Sequence, residues 1–380
     1  MADSVSTPAL EGMRVLDMTQ YESGTSCTQL LAWLGADVVK VEPPGIGDPG
    51  RALTFGANST QYFLNYNSNK RSTVINVATP RGRELLLELA SHYDVFVENY
   101  GPGVIEKLDI GYEVLRERNP SIIYGRIKGF GLSGPHADYL VYDSVAQAAG
   151  GVYSVNGAPD GPPMRPGGNI GDSGTGVQMA LAIAAAYVRK LRNGQGEFIE
   201  ISMQEAVTLF MRSVGLDVWG TAPAVRRGNR TRPPSDTYPC SPGGPNDYIH
   251  LMTATSRMWD SLCVAIERPD LTVDPRFATS GARARNGDAL FEEIARWTRA
   301  RTKYEAWRTL AEAGVPCSAV LDTLDLWNDP HLRSRDFIQT VEHPTLGSVR
   351  LMREGGRTLP LPQYVHLDDY VDAADLVVAD

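Results

Sequence analysis

A single acid set among glycines is where chemistry would start in this chain. In Pro166-Gly-Gly-Asn-Ile-Gly-Asp-Ser-Gly-Thr-Gly-Val177, Asp172 stands at the mouth of a long apolar run. Gly167, Gly168, Gly171, Gly174 and Gly176 free the backbone for left-handed angles and leave room for a ligand close to the main chain. From Val177 to Leu191 the sequence is rich in Ala, Leu, Ile and Val and free of Gly and Pro. It closes with Arg189, Lys190 and Arg192 before Gly194, the signature of a helix end. An acid at the start of such a helix is favoured as the carboxylate by the dipole and the free N–H groups. Asp before an apolar run most often caps the helix, and on this stretch alone the cap is the simpler reading. A cap, however, does not require so many glycines.

Composition narrows what such a carboxylate would serve. At 380 residues the chain is long enough for a large core and two domains. Its 42% hydrophobic and 21% charged residues are those of a soluble globular protein. A formal net charge of -9 argues against a nucleic-acid surface. No apolar run nears membrane-spanning length, and Met1 to Glu11 lack the basic and apolar regions of a signal peptide. Cys27, Cys240, Cys263 and Cys317 are scattered without metal-like spacing, which suits a reducing cytoplasm. The dispersed histidines give a zinc site no support, so neither a metal nor a permanently bound cofactor is expected.

The elements that must position Asp172 alternate between strand-like and helix-like segments. Arg14–Met18 reads as a buried strand, Thr28–Leu34 as helix and Asp37–Val41 as the next strand. Ser72–Val77 is another β-rich run, and Pro80 opens a helix over Arg81–Ser91 in the first-turn position that proline favours. Asp94–Glu98 and Ile122–Ile127 complete a βαβ pattern. Short apolar strands between helices imply a parallel sheet covered on both faces, so this half is α/β and Rossmann-like. The first strand is followed by Thr19-Gln-Tyr-Glu-Ser-Gly24 and not by G-x-G-x-x-G, and no Walker loop occurs. A dehydrogenase or an NTPase is therefore disfavoured.

Residues 1–220 are read as this large α/β domain. Prolines punctuate 221–247, which reads as a linker; its Arg226, Arg227, Arg230 and Arg232 either bind an anion or keep an exposed loop soluble, the second being simpler. A smaller α+β domain is expected over 248–321, and 322–380 as a second linker that leads back.

Several segments in order carry a resemblance. They are Glu11-Gly-Met-Arg-Val-Leu-Asp17, Leu34-Gly-Ala-Asp-Val-Val-Lys-Val-Glu-Pro-Pro44, Asn67-Ser-Asn-Lys-Arg-Ser72, Val97-Glu-Asn-Tyr-Gly-Pro-Gly103 and Tyr142-Asp-Ser-Val-Ala-Gln-Ala-Ala-Gly-Gly151, followed by the Asp172 turn. From about Leu10 to beyond Val320 the chain resembles the class III CoA-transferases, the CaiB/BaiF-like group typified by formyl-CoA:oxalate CoA-transferase. The resemblance implies transfer of coenzyme A from an acyl-CoA to a free carboxylic acid, with CoA as substrate. It implies Asp172 as the nucleophile, forming in turn an anhydride and an aspartyl-CoA thioester, a division of one hard exchange into easier steps. Glycine amides nearby would stabilise the developing oxyanions.

Other roles follow from the same resemblance. Glu22 occupies an active-site position that is often glutamine; if ionised and facing the site, it would repel a carboxylate acceptor. Ser23, the run Ile75, Asn76, Val77 and Ala78, then Asn99, Tyr100 and Gly101, and Leu140, Val141 and Asp143 match segments that line the CoA site. Tyr142 is placed beside the reacting centre, or is a packed aromatic. Lys107 matches a basic position near the CoA phosphates, although a lone helical Lys is more often merely solvated. Pro43 stands where the family has an arginine, leaving Arg51 or Arg71 as substitutes. Gly243 and Gly244 match a mobile glycine loop that covers the intermediates. Met18, Tyr21, Tyr62 and Trp219 are candidates for an acyl pocket.

The family's dimers are interlocked like linked rings, so a ring-like homodimer is implied. Two alternatives stay open. One is an acyl-CoA racemase or epimerase, which pairs the aspartate with an upstream histidine; here Tyr142 stands at that place and His136 lies several residues earlier. The other is one subunit of a heteromer, suggested by the short acidic tail from Arg357 to Asp380.

Overall fold

The computed structural model of the chain describes residues 7–53, 61–343 and 346–352. The acidic tail from Arg357 lies outside them. The described residues divide into two units. The first falls within Met1–Ser154, Arg165–Pro223 and Arg333–Asp380, and the second comprises Val155–Met164 and Ala224–Leu332. The excursion of Val155–Met164 into the second unit has no counterpart in the sequence reading. No described helix is long and apolar enough to cross a membrane.

The first unit is a six-stranded sheet: β1 (Arg14–Met18), β2 (Asp37–Glu42), β3 (Arg71–Val74), β4 (Val95–Glu98), β5 (Ile123–Lys128) and β6 (Glu197–Ser202). The order is β3-β2-β1-β4-β5-β6 and every pairing is parallel. That is the doubly wound order, in which ligands bind at the carboxyl ends of the strands where the chain reverses direction, here between β1 and β4. Strands β4 and β5 are buried throughout and β1 beyond Arg14, as apolar runs between two helical layers must be. Helices follow the strands as α1 (Ser23–Trp33), α2 (Gln61–Asn67), α3 (Pro80–Ser91), α4 (Val104–Leu108), α5 (Tyr112–Arg118), α6 (Asp143–Ala149), α7 (Val152–Val155), α8 (Asp172–Asn193) and α9 (Met203–Phe210).

One apolar layer joins β1, β4 and β5 to α1 and α8 through Val15, Cys27, Leu31, Val97, Met179 and Ile183. The other joins the opposite face to α3 and α5 through Leu16, Phe96, Leu86, Leu89 and Leu115. The crossing of α1 and α8 is set by Gly176. A Cβ there would stand 2.6 Å from the Ser23 carbonyl oxygen and 2.7 Å from Ser26 Cβ. Glycine thus lets α8 lie against the first turn of α1. That turn begins five residues earlier than its apolar pattern suggested, because its Ser23, Gly24, Thr25 and Ser26 are polar or small yet buried.

Beneath the strand ends lies a buried ionic lattice. Lys70 Nζ stands 3.0 Å from Asp17 Oδ2, and Lys40 Nζ 2.7 Å from Asp48. Lys40 Nζ also donates to the Thr19 carbonyl at 2.7 Å, and Thr28 Oγ1 donates to Asp17 at 2.7 Å. Burial alone would raise the Asp17 pKa. Lys40 and Lys70, helped by the Thr19 and Thr28 hydroxyls, hold it at about 2 instead. Ions this deep persist only when paired, because losing one partner strands the other.

The second unit holds the three-stranded antiparallel sheet β7 (Asp236–Pro239), β8 (Tyr248–Leu251) and β9 (Cys317–Ala319). Its core gathers Tyr238, Ile249, Trp259, Leu262, Leu290 and Leu310. Gly243, at φ 98°, and Gly244, whose N–H donates to Asp247 at 2.7 Å, lie in the turn joining β7 and β8. The linker arginines are partly committed inside this unit. Arg230 is held by Asp236 at 2.7 Å and Asp288 at 2.6 Å, and Arg226 donates to the Gly161 carbonyl. A hairpin of β10 (Ile338–His343) and β11 (Gly347–Met352) belongs to the first unit, where Gln61 of α2 donates to the Arg350 carbonyl.

Removal of one member of the buried lattice is a direct test of its weight. Lys70→Met is expected to cost about 3–5 kcal/mol in urea unfolding, whereas Arg118→Ala, which breaks the half-exposed pair with Glu84, costs less than about 1 kcal/mol. Equal losses for the two variants would contradict this account of the lattice.

Candidate active site

The chain leaves β1 through a turn that the rest of the fold pins at every residue. Asn99, just past β4, accepts the Gln20 N–H at 2.8 Å and donates to the Gln20 carbonyl at 2.9 Å and to Ser23 Oγ at 3.1 Å. Gln20 Nε2 donates to the Tyr100 hydroxyl at 2.9 Å. Tyr21 takes φ 58°, costly for a non-glycine residue, and its N–H is held by Asp48 at 3.2 Å. The result is that Glu22 and Ser23 enter the site at fixed positions.

Asp172 is the first residue of α8, with Gly171 as the cap residue and no side-chain cap. Asp172 therefore does not cap its own helix. Asp143 of α6 does that work: its Oδ1 accepts the N–H groups of Gly171 at 3.0 Å and Asp172 at 3.2 Å. A Cβ on Gly171 would lie 2.6 Å from the Asp143 carbonyl oxygen, so glycine permits this approach. The other Asp143 oxygen takes Gln147 Nε2 at 2.7 Å and Arg165 at 3.1 Å.

Glu22 is almost wholly buried, at 2% exposure. Its carboxylate accepts Ser173 Oγ at 2.7 Å, Asn169 Nδ2 at 2.9 Å and the Tyr66 hydroxyl. Burial pushes its pKa up; these bonds pull it down without cancelling the rise, and the Asp143 charge adds to it. Asp172 feels the same crowding. Burial first, then the charges of Glu22 and Asp143, push it up to about 7. This corrects the expectation that the helix start favours the ionised form, because burial and the Glu22 and Asp143 charges outweigh the helix dipole. The N–H groups of Gly171 and Asp172 are given to Asp143 Oδ1.

A cleft of about 180 Å³ opens at this point, lined by Gln20 to Ser23, Asn99 to Pro102, Ile127 to Gly129, Tyr139 to Tyr142, Asp172 and Met203. A second cleft of about 140 Å³ is lined by Met18, Val41 to Pro43, Ile75 to Ala78, Tyr100 and Leu108. Tyr100 belongs to both. Thus Ser23, Asn99, Tyr100, Gly101, Leu140, Val141 and Tyr142 gather with Asp172 and Glu22, and the Ile75–Ala78 run forms a neighbouring wall.

Tyr142 is exposed and meets Tyr21 edge to face at 6.0 Å. Asp143 lines neither cleft, being turned to the helix end. Lys107 is exposed on α4 and lines neither, although the adjacent Leu108 does. The proposed substitutes for the missing arginine are engaged elsewhere: Arg51 pairs with Glu42 at 2.7 Å and lies over the Phe63 ring, and Arg71 pairs with Asp37. Of the acyl-pocket candidates, Tyr21 lines the first cleft and Met18 the second; Tyr62 and Trp219 line neither.

Sequence reasoning missed Met203, Ile127, Lys128 and Tyr139 as lining residues. Lys128 is signalled only as one of two charges, with Arg126, in a wholly buried strand. Its ammonium is tied to Glu98 at 3.3 Å and to the Tyr100 carbonyl.

Comparison with known proteins gives the family. The sequence model of CoA-transferase family III matches residues 10–361. The formyl-CoA:oxalate CoA-transferase of Streptomyces avermitilis is 40% identical over 359 residues, covering 90% of this chain and 87% of that protein. Its counterpart in Rhodopseudomonas palustris is 37% identical over 365 residues, covering 90% and 85%. A CaiB/BaiF family protein from Brucella suis superposes with a TM-score of 0.84 at 28% identity, over 96% of this chain and 97% of that one. The protein Rv3272 from M. tuberculosis gives 0.83 at 28% identity, over 98% and 99%. The chain accordingly belongs to CoA-transferase family III and is an enzyme that transfers coenzyme A.

Proposed function

We propose that this enzyme moves CoA from an acyl-CoA to a free carboxylic acid with Asp172 as its covalent carrier. One observation carries the reading. Of the acids at the mouth of α8, Glu22 and Asp143 have every oxygen engaged, whereas the Asp172 carboxylate has no hydrogen-bond or ion-pair partner among the described residues and faces the cleft. A carboxylate so little stabilised is a stronger nucleophile than a capped or paired one.

The atoms balance without outside help. An Asp172 oxygen attacks the thioester carbonyl, the C–S bond breaks, and CoA departs as the thiolate from a mixed anhydride. The thiolate attacks Cγ of Asp172 and releases the donor acid as a carboxylate. The acceptor carboxylate then attacks the aspartyl-CoA thioester, freeing the thiolate again, which takes the acceptor acyl group and restores the Asp172 carboxylate. No proton is gained or lost, so no general base is required. We place the thioester end of CoA in the Asp172 cleft and its nucleotide end along Ile75–Ala78, because Tyr100 is a wall of both clefts.

The racemase alternative needs a second base beside Asp172. Among the described residues no histidine lines the cleft, and His136 packs in an aromatic group with Phe130 and Tyr139. A heteromer remains compatible, with this chain as the member that holds the nucleophile. For the homodimer the support is an apolar stripe on the outward face of α8, where Val177, Leu181, Val188 and Leu191 are exposed at helical spacing.

Asp172→Ala is expected to lower CoA transfer at least about 10³-fold while the circular dichroism spectrum is kept; turnover within tenfold of the parent would remove Asp172 from the role. Since Asp172 acts as the anion, protonation abolishes its attack. With its pKa raised to about 7, kcat/KM for the donor should climb with pH up to about 7 and level off above it. A flat profile from pH 5.5 to 8 would contradict the assignment. Leu181→Glu should shift the mass in light scattering toward the monomer, and a monomeric parent would dispose of the dimer.

A further inference from the structure

Charge around the mouth of α8 is one-sided. Asp172 and Glu22 line the same cleft, and Asp143 stands directly behind Asp172. Two cations are near, and each already has an acid. Arg165 is paired with Asp143 at 3.1 Å, and Lys128, the cation among the described residues lining the cleft, is 3.3 Å from Glu98, an acid it shares with Arg126, itself also paired with Glu106. Among the described residues no cation pairs with Glu22. Its partners are the Ser173 hydroxyl at 2.7 Å, the Asn169 amide at 2.9 Å and the Tyr66 hydroxyl. Neutral donors on both oxygens hold the carboxylate in place without cancelling its charge.

We propose that Glu22 is a specificity-determining residue that turns the cleft against dicarboxylate acceptors and toward monocarboxylic acids with an apolar or aromatic body. The inference rests on Asp172 carrying the CoA. An acceptor arrives when Asp172 is already a neutral thioester, so its reacting carboxylate meets one uncompensated charge, that of Glu22. Every acceptor bears that cost. A dicarboxylate brings a second negative charge into a sheltered cleft whose cations are taken, and like charges there repel more strongly than in water. The remaining wall offers apolar and aromatic surface instead: Tyr21 and Tyr142 edge to face, with Leu140, Ile127 and Met203 around them.

The test uses acceptor pairs that differ by one carboxylate, acetate against oxalate and butyrate against succinate. The donor is whichever of formyl-, acetyl- and succinyl-CoA exchanges labelled free CoA fastest without acceptor. The parent enzyme should favour the monocarboxylate of each pair by about tenfold or more in kcat/KM, a measurement that needs no variant. In Glu22→Gln, which keeps the size of the side chain and removes its charge, the preference should shrink by about tenfold, chiefly through KM for the dicarboxylate. A parent that prefers oxalate or succinate overturns the proposal, as does an unchanged ratio in the variant. The exchange without acceptor reads the donor half alone. Its absence with every donor overturns the covalent reading and this inference together, whereas exchange with the wrong acceptor ratio overturns this inference only.

Discussion

One carboxylate oxygen fixes the geometry on which the site depends. Asp143 Oδ1 accepts two successive N–H groups, from Gly171 and Asp172, and so binds the start of α8 to the start of α6. This single contact has three consequences. It places Asp172 at the first position of the helix and leaves its side chain free of capping. It also occupies the amides that would otherwise stabilise the Asp172 anion. Finally, it sets a like charge behind Asp172, so the proposed nucleophile is held in a form that gains from becoming neutral. Bonding to an acyl group gives it that neutrality.

The contact would be useless on a moving frame, and the frame is made rigid from below. Asp17, Lys40, Asp48 and Lys70 are buried under the carboxyl ends of β1 and β2, and their bonds reach the Thr19 carbonyl and the Tyr21 N–H directly. Asn99 closes the same turn from β4. Both sides of the topological switch point are thereby tied together, and Glu22 and Ser23 emerge from a turn that has little freedom. Against this turn Gly176 brings α8 close enough for Ser173 to reach Glu22. The proposed nucleophile, Asp172, and the acid that neighbours it, Glu22, come from residues 150 apart in the chain, and the turn and helix start that carry them are held by buried polar bonds.

Much of this was legible in the sequence, for reasons that are physical. The strands of the parallel sheet announced themselves as short β-branched runs, and β1 falls on the residues expected of it. Asp172 stood out because glycines gathered around one acid ahead of an apolar helix. What escaped is equally instructive. The start of α1 was read late because its first turn is polar, and polar residues give no periodic signal even when buried among partners. The β-rich run from Ser72 overshot, since β3 ends at Val74 and Ile75 to Ala78 leave the sheet to line a cleft. The part played by Asp143 was hidden because its partners lie 28 and 29 residues away. The ionisation of Asp172 was misjudged for the same reason, since the helix dipole is local and the opposing charges are not.

The central claim, that Asp172 becomes the carrier of CoA, is open to a direct measurement. The purified chain is mixed with a panel of acyl-CoAs, trapped with hydroxylamine, and followed by intact and peptide mass spectrometry beside Asp172→Ala. The expected result is a CoA-sized adduct that converts to a hydroxamate on the peptide holding Asp172, and none in the variant. An adduct on another residue, or transfer without any adduct while deuterium enters the acyl α-position, would contradict it.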